Sequence, residues 1–217
     1  MNVAVVFAGG TGSRMQSATT PKQFLKIHGK TILEHTLENF ENHPQIDAIA
    51  VACLPTWIPY VASRLDGLGI RKVRWIVPGG PTSQDSVYNA LSAVAADVAE
   101  DTVVLIHDGV RPLISEELIS LNIESVLVCG NAVTLSPAWE TITSVTPEGI
   151  MAAISDRQST RIAKAPQSFR LGDLLAAHED ARARGRHDYT DSASLMAESG
   201  VKLHGVPGAP ENIKVTT

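Results

Sequence analysis

The chain has 217 residues, 44% of them apolar and 19% charged, with a formal net charge of −5. That length supports one domain with a substantial core, and the missing global basic field argues against a nucleic-acid partner. The N-terminus has no charged n-region or apolar signal core, and no run is long enough to span a bilayer, which predicts a cytoplasmic protein without a membrane partner.

The organising stretch is the first one. Val3 to Ala8 is a run of β-branched and apolar residues and reads as a buried strand. It breaks into Gly9-Gly10-Thr11-Gly12-Ser13-Arg14-Met15, followed by Pro21-Lys22-Gln23-Phe24. Glycines there permit positive φ and bring bare N–H groups close to an anion. Arg14 and Lys22 add two cations around the same loop, a combination that suits a triphosphate being held and attacked. The plain alternative is a tight turn with surface Arg and Lys. The loop is not a Walker A sequence, because no Gly-Lys-Ser/Thr follows at the required spacing. It is also a poor dinucleotide fingerprint, since Met15 stands where the third glycine belongs.

Strands and helices then alternate, which argues for an α/β fold with a mainly parallel sheet. Thr31 to His43 reads as a helix with apolar residues at helical spacing, Ala48 to Cys53 as a strand, and Trp57 to Leu68 as a helix with Pro59 in its first turn. Val73 to Val77 is a third strand, ending at Pro78-Gly79-Gly80, and Ser83 to Val98 a helix capped by Ser83 or Asp85. Thr102 to Ile106 is the next strand, followed by His107-Asp108-Gly109-Val110-Arg111-Pro112. Ser115 to Cys129 is a helix with Ser115 as N-cap. Asn131 to Val145 and Gly149 to Ser155 look extended and are predicted to form a hairpin that leaves the main sheet, an arm over about residues 133–160. Ile162 to Phe169 is extended, Leu171 to Arg184 and Asp191 to Ser199 are helices, and Val201 to Val206 and Asn212 to Thr216 are short strands. Cys53 and Cys129 are expected as two reduced core thiols.

Open α/β sheets bind ligands at the carboxyl ends of their strands. Four loops at such ends carry polar residues: Gly9 to Lys22, Gly79-Gly80 with Asp85-Ser86, Asp108 to Arg111, and Asn212-Ile213-Lys214-Val215-Thr216. Asp108 is well placed for Mg²⁺, which prefers a carboxylate together with phosphate oxygens. The competing reading is an Asp–Arg pair that only stabilises the loop. His107 reads as a structural residue rather than a base.

In order and spacing, Ala8-Gly9-Gly10-x-Gly12-x-Arg14-Met15, Pro21-Lys22-Gln23-Phe24-Leu25, Gly79-Gly80, Asp108, Tyr189-Thr190-Asp191 and Asn212-Ile213-Lys214 resemble the polyol-phosphate cytidylyltransferases across almost the whole chain. This family includes 2-C-methyl-D-erythritol 4-phosphate and ribitol-5-phosphate cytidylyltransferases. The resemblance implies a Rossmann-like single nucleotidyltransferase domain over residues 1–217 that transfers CMP from CTP to a polyol phosphate. It implies Arg14, Lys22, Lys214 and Asp108 as the catalytic set, with Mg²⁺ on Asp108 as cofactor. It implies nucleotide contacts from Ala8, Gly9, Gly10, Thr11, Gly12, Gly79, Gly80, Asp85 and Ser86. Acceptor contacts would come from Arg111, Thr190 and Asp191, and from Thr141 and Arg157 on an arm that reaches into the partner subunit of a homodimer.

Several residues depart from the family pattern. Ser83 stands where an Arg is usual, and the motif Thr-Pro-Gln-x-Phe reads Ala165-Pro166-Gln167-Ser168-Phe169, which removes a hydroxyl from the acceptor pocket. Gly9-Gly10, Trp57 and Pro-Gln-Ser-Phe resemble the ribitol-phosphate branch more closely, so ribitol 5-phosphate is favoured and methylerythritol 4-phosphate is the alternative. A Rossmann-type oxidoreductase is the distant competitor. Members usually continue past the last station with a further helix, and some ribitol-phosphate members are fused to a reductase domain, so a segment beyond Thr217 is expected.

Overall fold

The computed structural model describes residues 1–10 and 20–216. The central strand is β1 (Asn2–Ala8), flanked in parallel by β4 (Ala48–Cys53) and β6 (Val103–Asp108). Because both faces of these strands are covered, they read as unbroken apolar runs rather than as alternations. The sheet continues through β5 (Val73–Pro78) on one side. On the other lie β10 (Arg161–Arg170), β7 (Asn131–Pro137) and β11 (Gly205–Pro207), giving the order β11-β7-β10-β6-β1-β4-β5. Only β10 runs antiparallel, against both β6 and β7.

Helices pack on both faces. One face carries α1 (Ile32–Asn42), α2 (Ile58–Leu68) and α4 (Glu116–Cys129); the other carries α3 (Ser83–Ala95), α5 (Leu171–Ala183) and α6 (Ser192–Glu198). Thr31 starts α1 with a reciprocal capping box: its side chain accepts from Glu34 N–H while Glu34 accepts from Thr31 N–H. Such a cap contributes about 1 kcal/mol. Leu33, Leu37 and Phe40 on the helix face are buried against Val6 and Ile49. Two small hairpins stand apart from the main sheet: β2 (Lys26–Ile27) with β3 (Lys30–Thr31), and β8 (Thr143–Val145) with β9 (Met151–Ile154). The second is the projecting arm expected from the sequence.

Three expectations require correction. Asn212 to Thr216 is not a strand; it crosses the loop after β6, held by Val215 N–H to Val110 O at 2.9 Å and by Arg111 to the Asn212 carbonyl. Cys129 is exposed at the end of α4, beside exposed Leu127 and Val128, so Cys53 alone is a core thiol. The N-cap of α3 is Thr82, whose hydroxyl accepts from Asp85 N–H, and not Ser83 or Asp85. Smaller shifts are that β6 runs on to Asp108 and that the last strand is only Gly205–Pro207.

Candidate active site

The parallel strands β1, β4, β5 and β6 deliver their carboxyl ends to one edge, where a cleft of about 500 Å³ opens. Gly9 and Gly10 floor it from β1, Gly79 and Gly80 wall it from β5, and Lys22, Asp108 and Lys214 also line it. The glycines are needed for close approach. A Cβ on Gly9 would lie 2.9 Å from Ser86 Oγ, and one on Gly80 would lie 2.3 Å from the Asp85 Cβ. The Ser86 hydroxyl accepts from Gly80 N–H at 3.0 Å and donates to Thr82 O at 2.9 Å, so it holds the glycine turn as well as lining the cleft.

Gln23 has a role that sequence reasoning missed. It is buried, and its amide donates to Ala8 O at 2.7 Å and Gly10 O at 2.9 Å, pinning the backbone where the glycine turn begins. The signal was present in the sequence: a neutral amide beside Lys22, within reach of a strand end with carbonyls to satisfy.

A second cavity of about 160 Å³ adjoins the first, and Phe7, Ser83, Asp108 and Lys214 line both. Asp108 is the electrostatic centre of this junction. One carboxylate oxygen accepts from Arg111 Nε at 2.7 Å and the other from Lys214 Nζ at 2.5 Å. Burial pushes its carboxyl up, but Lys214 and then Arg111 outweigh burial and hold it below the ordinary carboxylate value. Arg111 also donates to the Asn212 carbonyl at 2.9 Å, and Asn212 donates to Ala165 O at 2.7 Å. The loop after β6, the C-terminal segment and β10 are thus tied into one frame around Asp108. His107 is fully buried, 3.2 Å from the Arg111 carbonyl, and burial pushes its imidazole down to about 4, which fits a neutral structural residue.

The remaining predicted residues fall in three places. Thr190 and Asp191 line the second cavity with Arg111. Asp191 also caps α6 through Ser194 N–H at 2.8 Å. Asp85 sits in the wall behind the cleft: Thr82, His187 and Arg182 all donate to its carboxylate, and it lines neither cavity. Burial raises its carboxyl, yet these three partners carry it below the ordinary value. Thr141 and Arg157 lie on the exposed arm and line neither cavity of this chain; Arg157 donates to the Trp139 carbonyl. Thr11, Gly12 and Arg14 lie outside the described residues.

A mostly parallel sheet with a glycine cradle and paired cations at its strand ends is the layout of a nucleotidyltransferase of the nucleotide-diphospho-sugar transferase fold. The chain belongs to the IspD family, 2-C-methyl-D-erythritol 4-phosphate cytidylyltransferase, whose model matches residues 2–217. It is 46% identical to ribitol-5-phosphate cytidylyltransferase of Vibrio parahaemolyticus, over 100% of this chain and 91% of that protein. It is 42% identical to 2-C-methyl-D-erythritol 4-phosphate cytidylyltransferase of Geotalea uraniireducens, over 99% of this chain and 91% of that protein. The crystal structure of 4-diphosphocytidyl-2C-methyl-D-erythritol synthase from Anaerococcus prevotii matches with a TM-score of 0.84 at 25% identity, covering 100% of this chain and 90% of that one. This membership removes the oxidoreductase reading.

Proposed function

We propose that the chain transfers CMP from CTP to the phosphate of a polyol phosphate, with ribitol 5-phosphate as acceptor and CDP-ribitol and pyrophosphate as products. The observation that carries the reading is the junction: a glycine-floored cleft and a second, polar-lined cavity share Asp108 and Lys214. The cleft takes the nucleoside triphosphate, the cavity takes the acceptor, and the two phosphates meet at the shared ion pair. The 46% identity to a ribitol-5-phosphate enzyme and the Ala165 replacement favour ribitol 5-phosphate. The family description and the 42% identical relative support methylerythritol 4-phosphate as the alternative.

The acceptor phosphate is already an oxyanion, so no general base is required. Its oxygen attacks the α-phosphorus in line, the bond from that phosphorus to the β-phosphate oxygen breaks, and pyrophosphate leaves. Catalysis is then positioning and charge neutralisation. Lys22 and Lys214 line the cleft and supply cations to the phosphates, and Arg14 is assigned the same work from the sequence. Arg111 and Lys164 line the acceptor cavity and would hold the incoming phosphate.

Among the described residues no group of three or more His, Cys, Asp or Glu side chains is arranged to hold a metal. A single carboxylate nevertheless suits Mg²⁺ carried in on a triphosphate. Asp108 fits that role, because each of its oxygens keeps a lone pair beside its cation contact. When bound, the metal would neutralise charge on the departing pyrophosphate.

The arm's exposed Val145, Ile150, Met151 and Ile154 support assembly as a homodimer. In such a dimer Thr141 and Arg157 would reach the partner's acceptor cavity. No helix among the described residues is long and apolar enough to cross a membrane, and we place the enzyme in the cytoplasm. The deciding experiment is pyrophosphate release from CTP and Mg²⁺ with ribitol 5-phosphate and methylerythritol 4-phosphate in parallel. Turnover of ribitol 5-phosphate with the higher kcat/KM is expected; release with neither acceptor overturns the reading.

A further inference from the structure

Beyond the residues shared with the nucleotide cleft, the acceptor cavity is lined by Gln84, Val87, His178 and Leu195 from the three helices on one face of the sheet. His178 on α5 is the anomaly. It is 1% exposed, and among the described residues neither ring nitrogen has a hydrogen-bond partner. Its one ring neighbour is Tyr88, tilted, with centroids 6.1 Å apart. Buried polar side chains are normally satisfied, so an imbalance on a cavity wall marks where a ligand supplies the missing bonds. Burial, then Arg182, pushes the imidazole down to about 4, so the ring is neutral and offers one donor and one acceptor. A hydroxyl can answer either. The wall also holds Ala165, which has no hydroxyl to offer, so polar recognition there falls to other side chains.

We propose that this cavity holds the acceptor's carbon chain and that His178 is a specificity-determining residue, hydrogen-bonding to hydroxyls remote from the acceptor's phosphate. The inference rests on the polyol-phosphate reading above. The space agrees: about 160 Å³ exceeds the roughly 150 Å³ cavity that holds a benzene molecule, room enough for a five-carbon chain. The polar ends agree as well, with Arg111, Lys164 and Lys214 for the phosphate and His178 with Gln84 for hydroxyls.

The test compares wild type, His178→Leu and His178→Gln in the pyrophosphate assay. Acceptor kcat/KM is measured with ribitol 5-phosphate, and glycerol 3-phosphate, which lacks the remote hydroxyls, is measured as a competitor of the acceptor. His178→Leu is expected to lower kcat/KM about 10- to 100-fold, with the KM for CTP and the Ki of glycerol 3-phosphate unchanged. His178→Gln, which keeps a donor and an acceptor, loses less. The ligand-free Tm of His178→Leu is expected at or above that of wild type, because an unpartnered polar group has been removed. Unchanged acceptor kinetics, or an equal loss for the short competitor, overturns the proposal. Should His178→Leu not fold, His178→Phe carries the same comparison. If wild type turns over methylerythritol 4-phosphate instead, the ribitol assignment fails, and the His178 comparison is read with that acceptor.

Discussion

Replacing Asp108 by Asn keeps the shape of the side chain and removes its charge. In the native protein the carboxylate faces Arg111 Nε at 2.7 Å, with both side chains about nine-tenths buried, and Lys214 Nζ at 2.5 Å. Breaking a buried ion pair by removing one partner costs about 3–5 kcal/mol, because the other charge is left uncompensated. Lys214 is 41% exposed and rehydrates, and Arg111 keeps its bond to the Asn212 carbonyl, so the lower end applies, about 3 kcal/mol. For a domain of this size that is a fall in Tm of about 6–12 °C at pH 7. The pH dependence has a definite sign. A depressed carboxyl contributes stability above its unfolded value, near 3.8, and loses it as pH falls through the lower folded value. The gap between wild type and Asp108→Asn is therefore full at neutral pH and narrows below about pH 4. Thermal unfolding followed by circular dichroism across pH measures this. The double variant Asp108→Asn/Arg111→Met is expected to be more stable than the sum of its single changes predicts. A Tm within about 2 °C of wild type at pH 7, or strict additivity, would refute the claim that Asp108 balances a buried guanidinium.

Lys22→Ala is expected to lower kcat about 10²- to 10³-fold; near-normal turnover would remove Lys22 from transition-state stabilisation. Arg157→Ala is expected to raise the acceptor KM about 10-fold or more with the KM for CTP unchanged, and unaltered acceptor kinetics would exclude the arm from the acceptor site. Gly80→Ala places a Cβ 3.0 Å from the Asp85 carbonyl carbon and closer still to its Cβ. It should cost about 1–3 kcal/mol and weaken CTP binding, and a Tm and CTP affinity equal to wild type would show that the turn yields freely. Burial pushes the Cys53 thiol up to about 11 while Cys129 is exposed. At pH 8 a disulfide reagent should therefore titrate one thiol in the native protein and two after denaturation; two fast thiols in the native state would contradict the packing around β4.

The sheet centre was legible because β1, β4 and β6 are buried on both faces and bounded by glycine or polar turns. The nucleotide cleft was legible because its glycines follow strand ends. What escaped was set by contacts distant in sequence. Asn212 to Thr216 has strand-like composition, yet Arg111 and Val110 claim its backbone groups and fix it as a crossing segment. Cys129 follows a helical apolar pattern, but its side of α4 faces outward. The Thr82 cap was one residue from the expected one, within a Thr-Ser pair that composition cannot separate. His178 gave no local sign, because its importance lies in partners it lacks.

The crossing of the C-terminal segment over the loop after β6 also says something about the order in which the enzyme becomes competent. Arg111 and Asn212, bonded in the native protein, are 101 residues apart in the chain. Contacts of such separation carry a large loop-closure cost and reward the chain only after nearer ones have formed. The strands that frame the glycine cradle, β1, β4 and β6, are all in place within the first half of the sequence. A chain folded that far would hold a nucleotide platform without Lys214, able to grip phosphates but not to complete the charge around them. Activity therefore arrives last, as the tail is laid across Asp108, and a nascent or partly unfolded molecule is spared from wasting its nucleotide on water.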